Sequence, residues 1–481
     1  MIEIMIDLQG GAKAPLYEKI YEYIKKEIVE GKMTQGEKLP STRRLSENLA
    51  VSRSTVEMAY DQLLAEGYIK AEPCRGFFVC DITELYRLEK QVSAPKSYER
   101  EKKAKKRKVD FSPYAIDTGN FPYNIWRKIN KNILLDDSED LLLSGDGQGE
   151  YELRSAIAAY LHQARGVNCS PEEIIIGAGN EYLEILLAQL LGREGTLLME
   201  NPGYPRAYYT FLNMGYTVKT VPTAEGGLTL DNVCRENPDL IYMMPSHQFP
   251  MGTVMPLKQR LELLKWASEA ANRYLIEDDH DSEFRYRGKP IPSLQSIDCY
   301  GRVVYLGTFS KSIAPSLRIS YMVLPPQLME KYHSECGFYS TTVPRMQQEV
   351  LREFIEQGHF ERHLNKMRGI YRSRHDYLLG ELKKCSWVKK ISGDYAGLHL
   401  LVQVDTVLSE EELCNFAAEK GVRVSGISKY LFPEAQSRKE IGKELQAPTL
   451  AEPVLLLGYG KLSEREVRHG LELLGGVVRE A

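Results

Sequence analysis

A lysine set among hydroxyls is the first place in this chain where chemistry could occur. Lys311 lies in YLGTFSKSIAPSLRIS, just after the apolar run of a buried strand. Thr308, Ser310 and Ser312 surround it, and Arg318 follows seven residues later. An amine at a strand exit can act as a nucleophile once its surroundings lower its proton affinity. A second place is IEDDHDSEF, which ends the strand YLIE, with Asp278 as the first carboxylate beyond the strand. Carboxylates at the carboxyl end of a parallel strand stand where open α/β sheets hold ligands. The plainer expectation for this run is a loop of solvated acids, with Asp281 or Ser282 as a helix N-cap. A third place is IIIGAGNEYLEIL, which reads as strand, glycine turn and helix. There Ala178, Gly179 and Asn180 would offer backbone N–H groups at a helix N-terminus, which suits a phosphate. Many βα turns look the same without any ligand.

Positioning three such groups together requires strands that end along one edge. EEIIIGAG, GTLLMEN, DLIYMMPS, YLIEDD and RVVYLGTFS read as strands buried on both faces. EYLEILLAQLL, PLKQRLELLKWASEAA and VPRMQQEVLREFIEQG read as helices between or after them. The expected fold over residues 111–481 is therefore α/β, a doubly wound and mostly parallel sheet. KKISGDYAGLHLLVQVD and EPVLLLGYG predict a smaller C-terminal α+β lobe.

The N-terminal part is built differently. PLYEKIYEYIKKEIVEG carries Leu16, Ile20, Ile24 and Ile28 at four-residue steps, with Gly31 as a stop. STRRLSENLA predicts a short helix capped by Ser41. SRSTVEMAYDQLLAEG places Val56, Ala59, Tyr60, Leu63 and Leu64 on one face, with Ser52 and Ser54 both able to cap it. YIKAEPCRGFFVC reads as two short strands around Pro73–Gly76. Three short helices and a hairpin form a winged helix-turn-helix pattern over residues 13–81.

Charge supports that division. The 481 residues hold 62 Lys and Arg against 66 Asp and Glu, net −4. The composition, 43% hydrophobic and 27% charged, excludes a wholly disordered chain, a collagen-like repeat and a disulfide-dense mini-protein. Residues 1–110 carry a net +3 and the remainder −7. Within 38–55, Lys38, Arg43, Arg44 and Arg53 face only Glu47. In a helix-turn-helix these parts meet phosphates and base edges. Arg53, Ser54 and Thr55, with Ser52 beside them, would enter a major groove, Arg43 and Arg44 lie on the second helix, and Arg75 with Gly76 would form the wing tip. Residues 82–110 form a basic linker, net +7 over 87–108. Its KKAKKRK reads as a soluble spacer before it reads as a contact to DNA backbone. Eight scattered cysteines without a C-x-x-C pair predict no metal site. MIEIMIDLQG lacks a secretory leader, and no run reaches about 18 apolar residues. A cytoplasmic protein without a membrane span is expected.

The first segment resembles GntR-type winged-helix domains through LPSTRRLSENLAVSRSTVEMAYDQLLAEGYI and RGFFV. The remainder resembles fold-type I pyridoxal phosphate enzymes of the aspartate aminotransferase superfamily. ENPGYPRA, PSHQFPMG, IEDDHDSEF and TFSKSIAPSLRISY carry that resemblance. The two joined by a linker are similar to the MocR/GabR family of transcriptional regulators. The resemblance implies pyridoxal 5'-phosphate held by Lys311 as an internal aldimine, with Asp278 at the pyridine nitrogen. It implies a phosphate held by Arg318, Gly179, Asn180, Ser310 and Thr308, with Ala178 adjoining, and Tyr204 stacked on the ring. Arg206 would face an effector carboxylate. The implied function is an effector-responsive, DNA-binding regulator. An amine or amino acid forms an external aldimine and changes DNA binding, and the expected homodimer is domain-swapped and head-to-tail. An aminotransferase with an appended DNA-binding domain is the alternative.

Four positions depart from the resemblance. His280 stands where relatives commonly have a tyrosine that donates to the cofactor's phenolic oxygen. Lys429 stands for an arginine that clamps the ligand carboxylate. Ser144 replaces a tyrosine that reaches the neighbouring subunit's phosphate, and Phe249 replaces the asparagine of N-P-x-G. The last implies movement away from efficient transamination.

Overall fold

The apolar spacing of the first segment does produce three helices and a wing. The computed structural model describes residues 4, 6, 15–81, 109–135, 139–223, 228–286, 288, 291–440 and 452–480. The chain divides into two compact units, Met1–Ala104 and Lys105–Ala481. The linker from 82 to 108, KKAKKRK included, lies outside the described residues.

In the first unit, α1 (Leu16–Val29) buries Ile20, Tyr21, Ile24 and Ile28. Leu16, expected on that stripe, is 43% exposed, because the first turn extends past the core. α2 (Thr42–Leu49) starts at Ser41, whose side chain accepts from the Arg44 N–H at 3.3 Å. α3 (Arg53–Ala65) starts at Ser52, whose Oγ accepts from the Thr55 N–H at 3.2 Å, so Ser52 is the cap and Ser54 is not. Val56, Ala59, Tyr60 and Leu63 form its buried face. The buried Tyr60 hydroxyl donates to the Pro40 carbonyl at 2.9 Å, tying α3 to the segment before α2. β1 (Ile69–Glu72) and β2 (Gly76–Val79) pair antiparallel, with Ile69 opposite Val79. The turn between them needs positive φ at Cys74 (58°) and Gly76 (110°). This is a winged helix.

The second unit is built on an eight-stranded mixed sheet. Its strands are β4 (Ile174–Gly177), β5 (Thr196–Asn201), β6 (Thr217–Pro222), β7 (Leu240–Met243), β8 (Tyr274–Asp279), β9 (Val303–Thr308), β10 (Ser320–Val323) and β15 (Ala435–Gln436). The order is β15-β6-β5-β7-β8-β9-β10-β4. β6, β5, β7, β8 and β9 run parallel, whereas β10 is antiparallel to both β9 and β4. The five apolar runs are strands of this sheet, and their residues are buried on both faces. β6, β10 and β15 are additional to them.

The smaller lobe holds an antiparallel sheet, β11 (Val388–Ser392), β12 (His399–Val404), β16 (Val454–Gly458) and β14 (Ser425–Gly426), in that order. The short strands β3 (Val109–Asp110) and β13 (Val422–Arg423) pair in parallel beside it. The helices His359–Leu382 and Glu464–Glu480 pack their apolar faces into this lobe's core. This is a fold-type I aminotransferase architecture. Among the described residues no helix is long and apolar enough to cross a membrane.

Candidate functional site

The register of the large sheet brings the chemical groups to one edge. Ser320 of β10 lies opposite both Thr308 and Gly177, so the ends of β9 and β4 and the start of β10 are level. β8 ends beside them, with Asp279 opposite Gly307. The loops after β4, β8 and β9 and the turn before β10 therefore open at the same place. A cavity of about 170 Å³ lies there, lined by Asn180, Tyr204, Arg206, Asp278, His280, Thr308, Ser310, Lys311 and Arg318. Tyr114, Glu181, Phe249 and Pro315 complete the lining.

Lys311 is partly buried and its Nζ donates to the Pro113 carbonyl at 3.2 Å. The same Nζ lies 5.5 Å from the centre of the Tyr114 ring. Burial lowers its proton affinity from the usual lysine range. Asp278 is 2% exposed, and burial pushes its carboxyl up to about 6. The charge of His280 and the Tyr242 hydroxyl on one oxygen counter this, and Asn180 Nδ2 donates to the other oxygen at 3.3 Å. Thr308 Oγ1 accepts from the Ser310 N–H at 3.1 Å and from the Ser320 hydroxyl at 2.9 Å, which orders the loop that carries Lys311.

The phosphate-like corner differs in detail from the expected cradle. The Ala178 N–H already donates to Thr342 Oγ1 at 3.0 Å, and the Gly179 N–H donates to the Gly177 carbonyl at 2.8 Å. Gly179 has φ of 101°, and a Cβ there would overlap Arg318 Nη2, so glycine is required for the close approach. Arg318 Nη2 lies 2.7 Å from Glu181 Oε2, and the other Glu181 oxygen pairs with Arg206. One carboxylate thus holds both arginines.

The acidic run after β8 is not a solvated loop. Asp279 is buried against Arg165 at 2.7 Å and accepts from the Tyr305 hydroxyl. Asp281 is 2% exposed, caps no helix, and lies between His247 and His280. Both were hidden from local pattern because their partners come from distant segments. Lys429 is also displaced from its expected place. It is exposed on the turn Ile427–Tyr430 and is absent from the pocket lining, because its neighbours Ile427 and Tyr430 take the inward positions. Ser144 is exposed.

In the winged helix the basic residues are exposed but already paired. Arg43 lies 3.1 Å from Glu47, Arg53 lies 2.7 Å from Glu57, and Arg75 lies 2.5 Å from Glu72. Exposed pairs of this kind are worth about 0–1 kcal/mol and exchange readily. Arg44 is exposed on α2. Ser52 is engaged as the cap, with its Oγ 2.9 Å from Ser54 Oγ and 2.7 Å from Thr55 Oγ1. Gly76 opens β2 at the wing turn.

Sequence reasoning passed over Tyr242, Tyr114 and Glu181. Tyr242 looked like one more core residue of an apolar strand. Glu181 looked like an ordinary acid in a first helical turn. Tyr114 lies next to Pro113, far from Lys311 in sequence.

The comparisons with known proteins agree with this geometry. Residues 16–79 match the family of bacterial regulatory proteins of the gntR type, and residues 106–439 match aminotransferase class I and II. The HTH-type transcriptional regulator YhdI of Bacillus subtilis (strain 168) is 41% identical over 472 residues, covering 97% of this chain and 96% of that protein. The probable rhizopine catabolism regulatory protein MocR of Rhizobium meliloti is 32% identical, covering 98% and 95%. LysN, the alpha-aminoadipate aminotransferase of Thermus thermophilus, is 25% identical with a TM-score of 0.65, covering 77% of this chain and 92% of that one. That structure is a complex with N-(5'-phosphopyridoxyl)-L-leucine. With a winged helix at one end, an aminotransferase-type sheet at the other and full-length likeness to MocR, this chain belongs to the MocR-type family of HTH-type transcriptional regulators.

Proposed function

We propose that the chain is a cytoplasmic, pyridoxal phosphate-dependent DNA-binding regulator that responds to an amine or amino acid. The observation that carries this reading is the meeting of Lys311, Asp278 and Arg318 in one pocket of a chain that also holds a complete winged helix. The pocket residues fit the cofactor. Gly179 leaves a cradle that a Cβ would fill, against the Arg318 guanidinium, where an incoming anion would take the place of the Glu181 carboxylate. A buried carboxylate, Asp278, suits a protonated ring nitrogen. The buried Asn180 Oδ1 has no hydrogen-bond partner among the described residues.

When bound, the cofactor supplies an aldehyde and an electron-withdrawing ring. Lys311 would bind the aldehyde carbon, and its lowered proton affinity keeps more of the amine nucleophilic. Asp278, steadied by Tyr242 and Asn180, would hold the ring proton. Arg318, Ser310, Thr308 and the helix start at Asn180 would hold the phosphate, with Gly179 leaving room for it. Tyr204 would cover the ring, and Arg206 would meet an effector carboxylate. A Gly179→Ala change should weaken pyridoxal phosphate binding by at least about tenfold. The new Cβ displaces Arg318 and strains the backbone by about 1–3 kcal/mol. A cofactor titration followed by absorbance reads this.

On the DNA side, Arg43, Arg44, Arg53, Ser54, Thr55, Arg75 and Gly76 would form the contact surface, with Ser52 shaping it. We assign 13–81 to DNA binding, 82–108 to the linker, and 109–481 to cofactor binding and dimerisation, because Val109 and Asp110 of the linker expected over 82–110 pair as β3 in the smaller lobe. The assembly would be a head-to-tail homodimer whose winged helices exchange between protomers. Effector binding must favour one domain arrangement over another to change DNA affinity. The test is a gel shift of the full chain on its own promoter region. A sequence-selective shift that changes with cofactor or amino acid is expected. No selective shift under any condition sinks the reading. Lys311 and Asp278 also suit an aminotransferase half-reaction, and steady-state turnover with an amino acid and a keto acid would favour that alternative.

A further inference from the structure

Three histidines and one carboxylate pack together beside the pocket, drawn from three parts of the large unit. His280 and Asp281 follow β8, His247 follows β7, and His399 opens β12. The oxygens of Asp281 divide between two rings. Oδ1 lies 2.9 Å from His247 Nδ1, and Oδ2 lies 3.3 Å from His280 Nε2. His247 is 3% exposed and held on two sides. A Cβ on Gly397 would overlap His247 Cε1, and one on Gly252 would lie 3.5 Å from its Nε2. His399 Nε2 donates to the Pro250 carbonyl at 2.8 Å, and burial lowers that ring to about 4, so it is neutral near pH 7.

His280 lines the pocket while its Nε2 is directed to Asp281. If the ring were neutral, Nε2–H would face Asp281 and Nδ1 would be an acceptor. Only the imidazolium keeps a donor at Nδ1 as well. Asp278, Asp281, His247, His399 and Lys311 are the titratable groups around it. Burial works against the proton. The charge and hydrogen bond of Asp281, together with Asp278, outweigh burial and the opposing Lys311, and hold His280 above the usual histidine range. Asp281 stays well below the usual carboxylate range despite its burial, because both histidines face it.

We propose that Asp281, anchored by His247, is a positioning residue that fixes the His280 ring and keeps it doubly protonated, so that Nδ1–H is a cationic donor to an anionic oxygen of the pocket's ligand. The inference rests on the pocket being a pyridoxal phosphate site, where the resemblance puts a neutral tyrosine donor at this position. A histidine donor differs in one respect. Its charge is present in acid and is lost as pH rises through its raised pKa, so ligand affinity should fall over that interval. A tyrosine there would not show this loss.

The test is a ring-nitrogen NMR titration of histidines in the full-length, cofactor-free protein, with His280 assigned by its loss in His280→Gln. In the wild type His280 should titrate above about 6.5, the ordinary histidine value. Asp281→Asn should lower that midpoint by about one pH unit or more. His247→Gln, which keeps one donor to Asp281, should move it by less. A wild-type midpoint at or below about 6.5 overturns the inference. So does an unchanged midpoint in Asp281→Asn. If Asp281→Asn does not fold, the wild-type midpoint and His247→Gln decide. In protein loaded with pyridoxal phosphate, the pH midpoint of the cofactor absorbance should shift in Asp281→Asn but not in His280→Tyr/Asp281→Asn compared with His280→Tyr. Failure to take up pyridoxal phosphate sinks the pocket reading, whereas the NMR result stands on cofactor-free protein, so the two failures are distinct.

Discussion

Lys311→Ala should abolish the visible absorbance expected of a lysine-bound cofactor, and pyridoxal phosphate added to the variant should be removed by dialysis. Lys311 is the one lysine in the pocket lining among the described residues. Its Nζ is held by the Pro113 carbonyl over the Tyr114 ring, so the amine is presented rather than free to roam. The groups proposed to hold the phosphate and the ring remain in the variant, so weak reversible uptake should persist. Absorbance spectra of wild type and variant, before and after dialysis, measure this. An undiminished band in Lys311→Ala means that another amine carries the cofactor.

The second large effect is expected at the winged helix. Arg53→Ala should weaken binding to the operator by about 1–3 kcal/mol, a factor of roughly 5–150, if Arg53 reads a base edge. Arg43→Ala, if Arg43 meets a phosphate, should instead weaken binding to all sequences and reduce the salt slope by about 0.9. Titrations at several salt concentrations separate the two. Glu57→Gln frees Arg53 from its 2.7 Å partner and should change affinity by less than about tenfold, because the exposed pair is weak. If Arg53→Ala binds operator and random DNA as the wild type does, α3 is not the reading helix.

Much of this architecture was legible because burial on both faces leaves an unmistakable apolar run. IIIG, TLLMEN and VVYLGT read as strands covered on both faces. TVKTVP alternates and SYMV is short and antiparallel, so neither stands out as a strand. At the site, Lys311, Asp278 and Gly179 were legible because strand ends and glycine turns are local signals. Asp281 and Tyr242 were not. Asp281 is defined by His247, 34 residues away in sequence, and Tyr242 by Asp278, 36 residues away. A local reading sees a polar loop and an apolar strand. Lys429 shows the reverse failure. Correspondence with relatives points it at the ligand, but the packing of Ile427 and Tyr430 turns it to solvent.

Glu181 has a consequence beyond its two hydrogen bonds. A single carboxylate divided between Arg206 and Arg318 works as a two-pan balance. Any anion that draws Arg318 away leaves the whole of that negative charge to Arg206, and tightens its grip there. Any anion that recruits Arg206 does the opposite. The two sides of the pocket are thereby joined through one carboxylate, with the first turn of one helix as the beam.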